Sequence, residues 1–271
     1  MVLNDIERPT KADDPEYKEH SVFQDLDKFI GFYDSLSISV LNFLTLGTRA
    51  IINIDTYVYS SIQGTLESIR MVLRAGRLGD AFVLLRKYND SIVLNLYTNL
   101  YLEKNRSEEK QVVQEITAWL AGEARLPDNN YGSMSCYIEE SEELKDFFST
   151  LYKSKEYRQT RQRCNDHTHY NYFDNVLIND NKVHNPKRIE LLNLFKSDLE
   201  NLFILHISSI FYLNDHYMRS TDCTDSLDMG LIPEPDSQYW VAPFIQEIFS
   251  SLIEKKRPDL FKMVKCKHPC T

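Results

Sequence analysis

Glycine and proline are scarce, at eight and nine among 271 residues, so this chain has few points at which a long helix must stop. Nothing in it makes a phosphate-cradling loop. "GTLESIR" and "AGRLGD" have neither the Lys-Ser/Thr ending nor the preceding strand that a nucleotide P-loop needs. Gly-x-Ser-x-Gly and Cys-x-x-Cys do not occur either, so serine-hydrolase, dehydrogenase and thiol-redox chemistry have no motif to stand on. The five cysteines, Cys136, Cys164, Cys223, Cys266 and Cys270, are odd in number and irregular in spacing, unlike a disulfide framework. The first residues, "MVLNDIERPTKADDPEYKEH", are polar and acidic rather than a basic-then-apolar leader. The most apolar window, "FIGFYDSLSISVLNFLTLGTRAII", holds Asp34 and Arg49 and reads as a core helix, not a membrane span. A cytoplasmic protein without membrane contact is expected.

Positive charge is also short overall: 31 Lys and Arg stand against 40 Asp and Glu, a formal charge of −9. That argues against a general nucleic-acid coat, whose affinity rests on neutralising phosphates, and no DNA partner is expected. The deficit is uneven. Residues 1–150 carry 15 cations and 24 anions, whereas residues 151–271 carry 16 of each. Within residues 151–163, Lys153, Lys155, Arg158, Arg161 and Arg163 face a single anion, Glu156.

What is plentiful is helical patterning and aromatic bulk, with 16 Tyr and 14 Phe. Val58, Ile62, Leu66, Ile69 and Leu73 recur at spacings of three and four, one buried stripe of a helix. Long helices are expected over 22–46, 51–75, 80–104 and 187–218, with shorter ones over 108–122 and 140–152. "AGRLGD" supplies a turn, "RLPDNNYGSMSC" and "STDCTDSLDMGLIPEPD" read as loops, and Pro258 interrupts a terminal amphipathic helix. Asn185 and Pro186 make an N-cap and first-turn pair. The fold expected is all-α, a multi-helix bundle with long antiparallel helices. Residues 1–20 are expected as a mobile arm and 21–271 as a single domain.

The residues that can carry chemistry concentrate in "RQRCNDHTHYNYFDN", Arg161 to Asn175. On an α-helix, which advances about 100° per residue, Arg163 and His167 share a face, whereas Arg163 and His169 lie about 120° apart. The latter pair converges only if the helix kinks or ends between them, and the Asn-rich sequence from Asn165 favours such an end. Three uses remain open on the residues alone: helix capping with surface pairing to Asp166 or Asp174, RNA contact, and a metal site from Cys164, His167 and His169. Cys-x2-His-x-His has no second ligand pair to close a structural zinc site, so no metal or other cofactor is expected. Elsewhere, Cys266, His268 and Cys270 form a terminal cluster of unassigned role. Arg86 with Asp90, and Glu67 with Arg70, have the spacing of helix-surface ion pairs, with Glu67, Arg86 and Asp90 a candidate outer set for the same site. His206 and His216 read as core or flank histidines. Tyr170 and Tyr172 offer either base stacking or, more usually, core packing.

The run RCNDHTH, from Arg163 to His169, resembles the Arg-x4–6-His motif of the HEPN superfamily of helical proteins. Where that family commonly has a polar residue directly after the arginine, this chain has Cys164. The stretches "SIQGTLESIR", "DAFVLLRKYND" and "SQYWVAPFIQEIF" are similar to those of a group of uncharacterised bacterial helical proteins. The superfamily resemblance covers the motif and its flanking helices and implies a metal-independent endoribonuclease of a toxin or antiphage defence system. It also implies a homodimer in which two motifs face one cleft, and an antitoxin or defence-system partner. His169 would then be the general acid or base and Arg163 the stabiliser of the phosphorane, leaving a 2′,3′-cyclic phosphate. Asn165, Asp166 and His167 would support them, and Lys155, Arg158 and Arg161 would hold the RNA backbone. The alternative expectation is a non-catalytic helical protein of the same build that binds RNA, nucleotide or a protein partner.

Overall fold

A computed structural model describes residues 10–41, 53–107, 112–179, 185–231 and 240–267. The fold is all-α, a helical bundle, and among the described residues there is no strand, only an isolated bridge between Arg219 and Val241. In chain order the helices are α1 (Pro15–Lys18), α2 (Val22–Val40), α3 (Ile54–Arg74), α4 (Leu78–Asn105), α5 (Gln114–Leu120), α6 (Tyr131–Glu140) and α7 (Lys145–Leu151). There follow α8 (Glu156–Thr168), α9 (Phe173–Leu177), α10 (Arg188–Leu213), α11 (Thr221–Asp228), α12 (Pro243–Ile248), α13 (Glu254–Lys256) and α14 (Pro258–Lys267). No helix among the described residues is long and apolar enough to cross a membrane.

The chain divides into two compact units; four of the five boundaries fall inside α2, α3, α4 and α10, and the fifth just precedes α8. The first comprises residues 1–31, 61–89 and 155–202. Here α3 turns into α4 through Gly76, whose φ of 79° is the left-handed conformation that closes a helix cheaply. The Arg77 amide reaches back to the Val72 carbonyl at 3.0 Å and the Gly76 amide to Leu73 at 2.8 Å, the paired bonds of a Schellman closure. Gly79 serves another need: a Cβ there would lie 3.1 Å from the Asn179 amide oxygen, which accepts the Asp80 N–H at 3.0 Å. In this unit α2 and α3 run antiparallel, since Arg74 lies over the Phe23 ring and Arg70 pairs with Asp27. The expected Glu67–Arg70 pair is thus replaced by one between helices. Residues 1–9 of the expected N-terminal arm lie outside the described residues, but in its second half Tyr17 is fully buried and donates to the Leu73 carbonyl at 2.7 Å. The side chain of Arg188 is also wholly buried, and its Nη1 donates to the Gly76 carbonyl at 2.9 Å.

The second unit comprises residues 32–60, 90–154 and 203–271. Its core is aromatic, with Phe32, Tyr33, Tyr59, Phe203 and Phe211 buried. Through this core runs a chain of buried polar groups. Tyr33 donates to His206 Nδ1 at 2.7 Å, and His206 Nε2 donates to the Asn95 amide oxygen at 2.9 Å. Asn95, Asn99 and Tyr217 then all donate to the Asp55 carboxylate, at 2.8, 3.0 and 2.8 Å. His206 is therefore the satisfied core histidine expected from its apolar helix.

Several boundaries differ from the sequence reading. The expected loop at 125–136 contains the start of α6, because Asn130 caps it by accepting the Ser133 N–H at 3.0 Å. The expected loop after Met218 contains α11, which Ser220 caps in the same way through the Cys223 N–H. The long helix ends at Leu213 and gives way to a short 3-10 turn, Asp215–Met218. The break before Pro258 is where it was expected, between α13 and α14.

Candidate functional site

The motif lies at the C-terminal end of α8, in the first unit. Tyr157, Thr160, Cys164 and His167 recur at spacings of three and four and form the buried stripe of this helix. His169, two residues past His167, is turned by about 200° from it and is exposed at the C-cap. The two histidines therefore have opposite environments.

His167 lies flat against Phe82 of α4, with ring centroids 4.0 Å apart and planes within 4°. Burial pushes its pKa down to about 4, with Asp166 opposing and Arg163 reinforcing the shift. It is a neutral packed ring whose Nδ1 is buried without a partner among the described residues. Cys164 is buried beside it on the same stripe. Among the described residues no three His, Cys, Asp or Glu side chains are grouped to hold a metal ion. His268 and Cys270 of the terminal cluster lie outside the described residues.

Arg163 does not reach His169. Its Nε donates to Asp198 Oδ2 of α10 at 2.7 Å and its Nη2 to Asp198 Oδ1, a two-pronged pair. Thr160 donates to the same carboxylate at 2.7 Å. Asp198 is wholly buried, whereas the Arg163 side chain is 25% exposed. Burial works against the guanidinium charge, but the hydrogen bonds and charge of Asp198 outweigh it and raise the Arg163 pKa. This pair fastens α8 to α10.

His169 meets a different arginine. Its Nε2 lies 3.5 Å from Nη1 of Arg86, one helical turn after Phe82 on α4. Among the described residues, neither Arg86 nor His169 forms an ion pair with a carboxylate. Phe82 and Arg86 thus address His167 and His169 in parallel, four residues apart on one helix and two on the other.

The end of α8 is closed with care. The His169 amide bonds to the Asn165 carbonyl, and the Asn171 amide returns to Asp166 O, both at 3.0 Å. Between them Tyr170 takes the left-handed φ of 49°. The Asp166 carboxylate accepts from Gln162 at 3.0 Å and from Asn171 at 2.8 Å, and its carbonyl accepts from Asn175 of α9 at 2.9 Å. Asp166 therefore holds the turn that presents His169. Asn165 is half-buried, and its amide oxygen has no partner among the described residues. Lys155 and Arg158 are exposed and Arg161 half-buried, earlier on the same helix.

The structure thus brings together His169, Asp166 and Asn165 from the expected set, and separates Arg163 and His167 from His169. Sequence reasoning missed Asp198 and assigned Arg86 only an outer role. Asp198 among the apolar residues of α10 was the available sign of the first, and the Phe82–Arg86 spacing of the second. No family model matches the chain, and neither a curated protein nor a solved structure matches it significantly.

Proposed function

We propose that the protein is a metal-independent endoribonuclease whose site is the C-terminal end of α8, with His169 and Arg86 as the reacting pair. The observation that carries this reading is the 3.5 Å approach of an exposed imidazole and a guanidinium. The resemblance of RCNDHTH to the HEPN motif, and the cations Lys155, Arg158 and Arg161 behind it, support it.

In this reading neutral His169 takes the 2′-hydroxyl proton of the ribose. The 2′-oxygen attacks phosphorus, the bond to the 5′-oxygen breaks, and that oxygen takes a proton from water. The product is a 2′,3′-cyclic phosphate. Arg86 stabilises the charge gathered on the phosphorane oxygens. Arg163 fixes the helix to Asp198 and acts by position rather than by touching phosphate. A homodimer would bring two such ends to one cleft, and a monomer in solution-mass measurements would require each site to act alone.

The test is cleavage of total RNA in EDTA by the parent protein and by His169→Ala and Arg86→Ala variants. Each variant should lose activity by roughly 100-fold or more. Equal cleavage by all three, or none by the parent, overturns the assignment. One observation favours a second reading: the motif arginine is already occupied by a buried carboxylate. A parent that binds RNA in EDTA but never cuts it would be the non-catalytic RNA-binding protein instead.

A further inference from the structure

Among the described residues most aromatic side chains are buried or half-buried; Tyr17, Tyr33, Tyr59, Tyr88, Tyr97 and Phe82 are wholly buried. Among the described residues the aromatics that remain exposed are Tyr57, Tyr170, Tyr172 and Phe173. Three of these four fall within four consecutive positions, directly after His169. They are 55%, 63% and 73% exposed, and Val176 of the same short helix is exposed as well. The bonds from Asn171 and Asn175 to Asp166 hold this patch against the end of α8.

Tyr170 carries a second sign. It occupies the left-handed position that ends the helix, where glycine is the unstrained choice and any Cβ brings steric cost. The ring is not repaid by burial, since more than half of it faces solvent. A costly conformation that holds an exposed ring beside a candidate site points to a use outside the folding of the chain.

We propose that Tyr170, Tyr172 and Phe173 form a stacking platform for unpaired bases of an RNA strand whose phosphate lies at Arg86 and His169. This rests on the function proposed above and narrows it to single-stranded RNA. Rings stack on any base through its flat face, and such surfaces work beside cations that follow the backbone. Here Arg86 lies at His169, the residue before Tyr170, and Arg161 and Arg158 precede His169 on α8 by about 12 and 17 Å, a span of two or three nucleotides. Duplex RNA presents no free base faces and would leave the rings without partners.

The experiment uses the full chain with His169→Ala, so that bound RNA stays intact. Affinity for a labelled single strand and for its duplex is read by fluorescence anisotropy. Tyr170→Gly, Phe173→Ala and Tyr170→Phe are compared, each with its thermal midpoint. The single strand should bind better than the duplex. Tyr170→Gly and Phe173→Ala should each weaken it by roughly five- to 100-fold. Tyr170→Gly should keep or raise the midpoint, and Tyr170→Phe should bind normally. Parent-like binding by Tyr170→Gly and Phe173→Ala overturns the platform, while cleavage lost with His169 still supports the site. If no RNA binds at all, both proposals fall. If Phe173→Ala instead splits a dimer without changing RNA affinity, the patch is a self-association surface and the platform is overturned.

Discussion

Arg163 and Asp198 show how one side chain can be read in two ways. As a motif residue the arginine belongs to chemistry; in the structure it neutralises a carboxylate that has no access to water. Removing either partner strands the other, and a stranded buried charge costs far more than the pair contributes. Arg163→Ala and Asp198→Ala should each lower unfolding free energy by about 3 kcal/mol in urea titrations. The double variant should lose less than the sum of the two. Additive losses would mean that the pair is not coupled as described. Activity lost in Arg163→Ala must therefore be compared with the unfolded fraction before it is assigned to catalysis. A helix end between Arg163 and His169 was expected to let the two converge, but α8 continues to Thr168 and they stay apart, each with its own partner. What it could not reveal is the partner, because Asp198 lies 35 residues away and meets Arg163 only when α8 packs on α10.

Helices were legible where a long apolar stripe defined them. The five residues from Val58 to Leu73 are all buried on α3. The expected loops at α6 and α11 were misread for one reason: each helix is short and depends on one capping side chain. Asn130 and Ser220 supply acceptors to otherwise orphaned amides, and a stripe of two turns is too brief to stand out. Ser220→Ala should therefore reduce stability by about 1 kcal/mol, and Asn130→Ala by a similar amount, with Gly at either position costing less. Urea unfolding curves of the four variants check the order. An Ala variant as stable as the parent would show that the cap is dispensable. The buried polar chain from Tyr33 through His206 and Asn95 to Asp55 was invisible for a different reason. Its members come from four segments, and each one alone reads as an isolated polar residue in a helix.

Buried titratable groups give the whole protein a calculable response to acid. His167 and His206 fall from 6.5 to about 4 and about 3, both through burial. Each takes up a proton more readily when unfolded, so each contributes stability above pH 6.5 that is lost as pH drops toward 4. Asp55 acts oppositely: burial raises it from 3.8 to about 6, against the hydrogen bonds of Tyr217, Asn99 and Asn95. Its contribution is present below 3.8 and disappears as pH rises through 6. Two histidines outweigh one aspartate, and the net effect of these three groups is a loss of about 3 kcal/mol between pH 6.5 and 4. Thermal midpoints across that window should fall on acidification. Asp55→Asn should steepen the fall, and a flat profile would contradict the burial of these rings.

Charge at long range gives the last test. With a formal charge of −9, the protein as a whole would repel RNA, and the proposed site would have to offset this through the cations near α8. Lys155, Arg158, Arg161 and Arg86 would displace about four counterions from a single strand, a slope of about −3 in log affinity against log salt. Replacing Lys155 or Arg158 by Ala should flatten that slope by about 0.7 and leave base preference unchanged. Tyr170→Gly should do the reverse, weakening binding at every salt concentration while the slope stays parallel to that of the parent. The two classes of variant therefore separate the phosphate track from the aromatic platform on one plot. Parallel lines for all of them would place the RNA somewhere other than the end of α8.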